Sequence, residues 1–109
     1  MDSDFLKLVS EAKPLNSKIF SLPRLLILLS LENLDEDGAQ YRELKAGLDM
    51  EDGVLYSNLN VLKKMGYIKE NKIKVENKKM SSFTITEEGK NALAAMKKWL
   101  KTVGGENNE

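Results

Sequence analysis

The sequence predicts an α+β domain that is mostly helical and carries a small antiparallel sheet of two or three strands. Apolar residues recur at helical spacing in five segments, and two strand-like runs, near 67–75 and 80–86, precede the last of them. A short strand near Ala39 is expected to complete the sheet. The chain has 109 residues, enough for one modest core. We therefore expect one domain over residues 1–103, followed by a disordered tail over 104–109.

The five helices are predicted from their apolar spacing and from the residues that start and stop them. The first ends near Pro14, because proline cannot continue a helix. Ser21 is the expected N-cap of the second helix, and Pro23 lies in its first turn, where a missing N–H costs little. Thr86 is the expected N-cap of the fifth. The predicted bounds are 4–12, 22–34, 40–47, 52–65 and 87–103.

Composition argues against several classes of function. The chain has no Cys and no His, which excludes zinc ribbons, disulfide frameworks, thiol nucleophiles and histidine acid–base chemistry. No paired carboxylates or glycine-rich phosphate loop can be placed, so we expect no enzyme activity, no cofactor and no metal. The longest apolar run, LLILL, is too short to span a bilayer, and the N-terminus lacks the apolar segment of a signal peptide. We therefore expect a cytoplasmic protein with no membrane partner.

Charge is distributed unevenly along the chain, although the net charge is zero. Residues 1–59 have a net charge of −5, whereas residues 60–101 have a net charge of +7. This asymmetry favours contact with nucleic acid or with a membrane surface. A solvated lysine face would give the same pattern, so charge alone does not decide between these interpretations.

The fourth predicted helix, over 52–65, divides its side chains between two faces. At about 100° per residue, the apolar side holds Val54, Leu55, Leu59, Val61, Leu62 and Met65. The opposite side holds Gly53, Tyr56, Ser57, Asn60, Lys63 and Lys64. The preceding helix packs through Tyr41, Leu44 and Leu48, and a short turn joins the two helices. This arrangement is typical of a helix-turn-helix, whose second helix enters the major groove of DNA.

Three segments between Arg24 and Leu93 carry a more specific pattern, namely RLLILLSL, YRELKAGLDMEDGVLYSNLNVLKKMGYI and FTITEEGKNAL. In order and spacing they resemble the winged helix-turn-helix transcriptional regulators of the MarR-like and ArsR-like type, especially a compact archaeal and bacterial subgroup. In that family, the ITEEG motif at 85–89 ends the second wing strand and opens the last helix. The resemblance implies a DNA-binding regulator that forms a homodimer through its N- and C-terminal helices.

The sequence departs from the resembled family at three places. Asp49 stands where the family usually has Gly, in a turn that favours a left-handed conformation, which Asp tolerates. Glu51 stands where the family prefers a Ser or Thr cap, and with Asp52 it places negative charge where a helix N-terminus would attract phosphate. The expected wing tip is Asn77, Lys78 and Lys79 instead of Arg and Gly.

Candidate DNA contacts follow from the two-faced helix and from the resemblance. They are Tyr56, Ser57, Asn60, Lys63 and Lys64 in the major groove, and Lys72, Lys74, Lys78 and Lys79 on flanking phosphates of double-stranded DNA. Alternative roles stay open. For Tyr56, covering a lysine stem is the alternative to the favoured DNA contact. Asn60 suits a base edge or a phosphate, and the alternative role of the wing lysines is to protect an edge hairpin against aggregation. Asn58 points toward the core, where a structural hydrogen bond is expected.

The terminal helices carry the candidate dimer interface. Phe5, Leu6 and Val9 are expected to meet Met96, Trp99, Leu100 and Val103, within or across subunits. A small-molecule pocket near Trp99 is an alternative to packing, and the sequence defines no effector. The alternative function is a protein–protein interaction module without sequence-specific DNA binding. The acidic start of the fourth helix favours that alternative, whereas the wing lysines favour DNA.

Overall fold

The computed structural model describes residues 2–19 and 21–105, and they form an α+β fold. The elements are, in chain order, α1 (Ser3–Ala12), a 3-10 turn (Ser17–Ile19), α2 (Leu22–Leu31), β1 (Ala39–Gln40), α3 (Tyr41–Leu48), α4 (Asp52–Lys64), β2 (Ile68–Val75), β3 (Lys78–Ile85) and α5 (Glu87–Val103). The predicted fold class is confirmed: α3 and α4 form the helix-turn-helix, and β2 and β3 form the wing. In the described part of the chain, no helix combines the length and apolarity needed to cross a membrane.

Local capping explains where three of the helices begin or end, as predicted. The Ser21 hydroxyl accepts a hydrogen bond from the Arg24 backbone N–H at 3.3 Å, and the Thr86 hydroxyl accepts one from Gly89 N–H at 3.0 Å. Asp49 ends α3 in the left-handed conformation with φ of 51°. Glu51 caps α4 with its backbone only, and its side chain makes no capping hydrogen bond.

The wing turn is tighter than predicted. Glu76 and Asn77 form a two-residue turn with φ of 51° and 66°, the geometry of a type I′ hairpin. The predicted strands, near 67–75 and 80–86, left four residues for the turn, so β3 starts two residues earlier than predicted. Lys78 and Lys79 belong to β3. Helix α2 ends at Leu31, three residues before its predicted end near residue 34.

The sheet is antiparallel with the order β1-β3-β2, so β3 is the central strand. Ala39 pairs with Phe83, and the wing register runs from Ile68 opposite Ile85 to Val75 opposite Lys78. Successive side chains on a strand point to opposite faces. One face of the wing is therefore directed toward α4 and the other away from it. The face toward α4 carries Glu70, Lys72, Lys74, Lys79, Ser81 and Phe83.

The core lies between α2, α4, α5 and the base of the sheet. Its most buried side chains include Ile27, Leu28, Leu55, Leu62, Leu93 and Met96. Val54 is 40% exposed, so its predicted place on the apolar side of the fourth helix was wrong. Gly89, in the first turn of α5, lies so close to the Tyr67 carbonyl oxygen that a Cβ would collide with it. This close approach gives a physical reason for glycine in the ITEEG motif.

The N-terminal helix α1 differs from the other four α-helices of the described residues, because none of its residues is buried in the core. The Trp99 indole Nε1–H of α5 donates a hydrogen bond to the Leu8 carbonyl oxygen at 3.1 Å. The α1–α5 approach therefore occurs within one chain. After α1, the Asn16 side-chain amide donates to the Tyr67 hydroxyl at 3.1 Å, which ties the connecting segment to the start of β2.

Candidate nucleic-acid interface

Four residues of α4 form the centre of its solvent-facing stripe. Gly53, Ser57, Asn60 and Lys64 recur at the i, i+4, i+7, i+11 spacing that places side chains along one side of a helix. The buried residues Leu55, Leu59 and Leu62 lie on the other side. Asn60 is half-buried, and the other three stripe residues are exposed. The structure therefore brings three of the predicted groove residues together on one surface, with no bulky side chain at position 53.

Tyr56 and Lys63 lie on the flank of α4 that faces the wing. Tyr56 is 64% exposed and borders a cleft of about 280 Å³ between α4 and the sheet. Lys63 lies across the same cleft from β2, and its Nζ donates a hydrogen bond of 2.6 Å to Glu70 Oε1. Lys63 is thus beside the predicted groove surface, but its charge is engaged within the protein.

Glu70 is the centre of a polar cluster that joins α4 to the wing. Its Oε2 accepts hydrogen bonds from the Ser81 hydroxyl at 2.5 Å and from Lys72 Nζ at 3.3 Å, and Lys72 also donates to Ser81 at 2.9 Å. The hydrogen bond from Lys63, followed by that from Ser81, lowers the pKa of Glu70 to about 2. Glu70 is therefore a carboxylate at any physiological pH.

The wing lysines are divided between the two faces of the hairpin. Lys72, Lys74 and Lys79 are on the face directed toward α4, and Lys74 lies directly opposite Lys79 in the register. Lys78 pairs with Val75 and belongs to the other face. The structure therefore places three of the four predicted phosphate contacts on the wing face directed toward α4, and it places Lys78 on the opposite face.

The N-terminus of α4 carries negative charge that neighbouring side chains hold in place. Asp52 Oδ1 accepts a hydrogen bond from the Tyr41 hydroxyl at 3.0 Å, and Oδ2 accepts one from Lys45 Nζ at 3.1 Å. The Lys45 hydrogen bond, then that of Tyr41, lowers the pKa of Asp52. Partial burial, followed by the hydrogen bond to Asp52, raises the pKa of the Tyr41 phenol. With the exposed Glu51 next to it, this end of α4 is poorly suited to binding phosphate.

The predicted dimer residues fall into two groups. Met96 is fully buried in the core of its own chain, and Trp99 is partly buried beside α1. The other five are 42–50% exposed, and they are Phe5, Leu6, Val9, Leu100 and Val103. The exposed apolar surface of the terminal helices is therefore made by the outer side of α1 and the last turns of α5.

Sequence reasoning missed Glu70 and Arg24. Glu70 is the one acidic residue between Lys63 and Lys74, and that isolation among lysines was the available signal. Arg24 Nε donates to the Asn58 side-chain oxygen at 2.9 Å, so it ties α2 to α4. The Asn58 side-chain amide also donates to the Val54 carbonyl oxygen at 2.8 Å. The expected structural hydrogen bond of Asn58 is thereby confirmed, but Arg24 is remote in sequence and had no local signal.

Comparison with known proteins agrees with this geometry. The family model described as a winged helix DNA-binding domain matches residues 24–103. The chain belongs to this family. The match includes the helix-turn-helix, the wing and α5, whereas α1 lies outside it. None of the curated protein sequences matches this member of the family.

Solved structures share the winged-helix fold over most of the chain. A transcriptional regulator homologue protein from Pyrococcus horikoshii OT3 has 23% identity and a TM-score of 0.71, covering 95% of this chain and 96% of that one. A PadR family transcriptional regulator from Eggerthella lenta has 23% identity and a TM-score of 0.58, covering 95% and 93%. A MarR transcriptional regulator from Methanosarcina mazei Go1 has 16% identity and a TM-score of 0.59, covering 95% and 73%. At these identities the likeness establishes the fold.

Proposed function

We propose that this winged-helix protein is a transcriptional regulator that binds duplex DNA as a homodimer, with α4 in the major groove and the wing on the backbone. One observation carries the proposal: α4 has a polar, solvent-facing stripe, and the wing face directed toward α4 carries three lysines. A helix fits the major groove of B-DNA, and cations beside it meet phosphates. The family assignment and the names of the solved relatives support the same function.

The roles of the contacting residues follow from their chemistry. Asn60, at the centre of the stripe, has an amide that suits an adenine edge or a phosphate oxygen. Lys64, Lys74 and Lys79 supply affinity that does not depend on sequence, through release of counterions from DNA. Because the N-terminus of α4 carries Glu51 and Asp52, we expect α4 to meet phosphates through the lysines near its C-terminal end.

The homodimer is proposed from the exposed apolar surface of α1 and α5. A second copy that covered this surface would shelter Phe5, Leu6 and Val9 from water. In a two-fold dimer on straight B-DNA, the two α4 helices should be about 34–36 Å apart, one turn of the duplex. We expect sedimentation to give a dimer at high micromolar concentration, and a monomer there would contradict this part of the proposal.

The wing provides a matched test of DNA binding. Lys79→Ala and Lys78→Ala remove the same charge from adjacent residues on opposite faces of one strand. We expect Lys79→Ala to weaken binding to all duplexes and to reduce the slope of log K against log salt by roughly one phosphate contact per protomer. Lys78→Ala should have the smaller effect. Equal effects would show that total charge, and not this face, determines binding.

Asn60 provides the test of sequence reading. If Asn60 contacts a base edge, Asn60→Ala should reduce discrimination between DNA sites by about 1–3 kcal/mol. The measurement is competition between a selected site and an unrelated duplex at one salt concentration. An unchanged ratio, with weaker binding to both duplexes, would assign Asn60 to a phosphate.

A second candidate function is a protein-interaction module, which the acidic start of α4 favours. Glu51 and Asp52 would oppose DNA, whereas the exposed Tyr56 beside the cleft is a suitable anchor for a protein partner. If neither Asn60→Ala nor Lys79→Ala alters binding to duplex DNA at low salt, this candidate replaces the first. Tyr56→Ala would then be the variant to test against a protein partner.

A further inference from the structure

The polar cluster around Glu70 engages Lys63 and Lys72, two of the lysines that the sequence predicted to contact DNA. Lys63 Nζ is 2.6 Å from Glu70 Oε1, and Lys72 Nζ is 3.3 Å from Glu70 Oε2. The Glu70 side chain is 24% exposed, that of Lys63 36% and that of Lys72 71%. The carboxylate is thus the most sheltered of the three charged groups, and it lines the cleft between α4 and the wing.

We propose that Glu70 limits the affinity of this interface for duplex DNA by acting as an internal substitute for a phosphate group. It presents two anionic oxygens to the same lysines that phosphate oxygens would contact. This inference rests on the proposed function, because it assigns a role to Glu70 only if this face binds DNA.

The number of counterions that the lysines can displace from DNA determines how strongly Glu70 should lower the affinity. A lysine that is already neutralised by a carboxylate displaces few counterions when a phosphate approaches, because the phosphate and the carboxylate compete for the same ammonium group. Lys63 is more affected than Lys72, since its hydrogen bond is shorter and less exposed to solvent. Lys64, Lys74 and Lys79 would then provide most of the electrostatic affinity.

The direct test is Glu70→Gln. Glutamine keeps the size of the side chain and one oxygen for the Ser81 hydroxyl, but it removes the negative charge. We expect affinity for an unrelated duplex to rise roughly fivefold to tenfold per protomer at 0.1 M salt. The slope of log K against log salt should become steeper by about one phosphate contact per protomer.

Glu32→Gln is the matched control for net charge. Glu32 is also 24% exposed, and it accepts hydrogen bonds of 2.6 and 2.8 Å from Lys97. The control therefore removes the same charge and frees one lysine, but between the C-terminal end of α2 and α5 instead of at the α4–wing junction. An equal gain in affinity for Glu32→Gln and Glu70→Gln would overturn the proposal, because net charge would then explain both.

Lys63 supplies the second control. In the Glu70→Gln background, Lys63→Ala should abolish most of the gain, whereas in the parent it should change affinity less than Lys64→Ala does. If Glu70→Gln weakens DNA binding, the proposal is overturned, and Glu70 instead orients the lysines for phosphate. Circular dichroism of each variant establishes that it is folded before binding is measured.

The two proposals fail in different ways. If the parent binds duplex DNA and Lys79→Ala weakens this binding, the proposed function stands, whatever the affinity of the Glu70→Gln variant. An unchanged salt slope for Glu70→Gln in that situation would overturn only the role of Glu70. If neither the parent nor Glu70→Gln binds duplex at low salt, both proposals are overturned.

Discussion

Helices α4 and α1 are both amphipathic, yet the molecule holds them in opposite ways. α4 places Leu55, Leu59 and Leu62 in the core, each at most 2% exposed. α1 has no buried residue, and its apolar side, including Phe5 and Leu6, is about half exposed. The position of α4 is therefore fixed by the core of one chain. The apolar side of α1 is only partly covered by that chain, and its exposed part is the surface on which the proposed homodimer depends.

The largest expected effect tests whether burial in the core fixes the position of α4. Leu62→Ala removes a fully buried side chain and should lower the free energy of unfolding by about 2–5 kcal/mol. Leu22→Ala, at a position 69% exposed, should change it by about 0.5 kcal/mol or less. Urea unfolding at one protein concentration measures both. Similar losses would mean that α4 is not held by burial.

The next largest expected effect is on the dissociation constant of the proposed dimer, and it tests whether α1 forms part of the interface. Leu6→Asp places a charge on the exposed apolar side and should raise the dimer dissociation constant by roughly 10- to 100-fold, because burial of such a side chain is worth about 1.5–3 kcal/mol. Ser10→Asp adds the same charge to an exposed polar position of α1 and should have little effect. Sedimentation velocity over a concentration series gives both constants. Equal effects would place the interface elsewhere.

A third prediction concerns how α4 is joined to the wing. The folded-state pKa of Glu70 is lowered to about 2, so its carboxylate stabilises the native state above the unfolded pKa, near 4.5. That stability is lost as pH falls through the range from about 4.5 to 2. Between pH 6 and pH 2, the parent should lose about 1–3 kcal/mol more unfolding free energy than Glu70→Gln.

The control for this pH dependence is Glu76→Gln, a substitution at the exposed hairpin turn. Its unfolding free energy should follow that of the parent across the same pH range. If Glu70→Gln also follows the parent, the charge cluster contributes nothing to joining α4 and the wing. The hydrogen bond between Trp99 and the Leu8 carbonyl joins uncharged groups, so acid should not weaken that particular α1–α5 contact.

The smallest effect separates stability from binding. A Cβ at Gly53 in α4 or at Gly47 in α3 would meet no atom within 4 Å. Alanine at either position should therefore stabilise the fold by about 0.5–1 kcal/mol. Only Gly53→Ala should weaken DNA binding, because position 53 is on the stripe that is proposed to face the major groove. Thermal unfolding and duplex titration of the two variants test this, and equal DNA affinity would place position 53 outside the interface.

Features governed by local chemistry were predictable from the sequence. The bounds of α5 and the caps at Ser21 and Thr86 depend on residues within one turn of each other, so they could be predicted. The start of β3 was missed because Glu76 takes a left-handed conformation that glycine usually supplies. That error concealed the orientation of Lys78, since a strand face depends on the register to within one residue.

The candidate site was only partly predictable for a similar reason. The stripe of α4 follows from helical spacing, and the structure brings Ser57, Asn60 and Lys64 together as the sequence suggested. The contact between Lys63 and Glu70 depends on how the hairpin packs against α4, which no local pattern specifies. Val54 was predicted on the wrong side of α4 because a helical wheel gives the angles between side chains of one helix. It does not give the direction from which neighbouring elements pack against that helix.

The strand order gives the wing an uneven stiffness along its length. Near its base, Phe83 is held between two strands, and the Ser82 hydroxyl donates to the Asp37 carbonyl oxygen. Toward the tip, the pair Lys74 and Lys79 has a neighbour on one side only. The hairpin is thus held by a third strand only at its base, so we expect thermal motion to displace its tip the most. In the proposed complex, such a tip could adjust to a phosphate backbone whose groove width varies with sequence, while the base of the wing keeps its position beside α4.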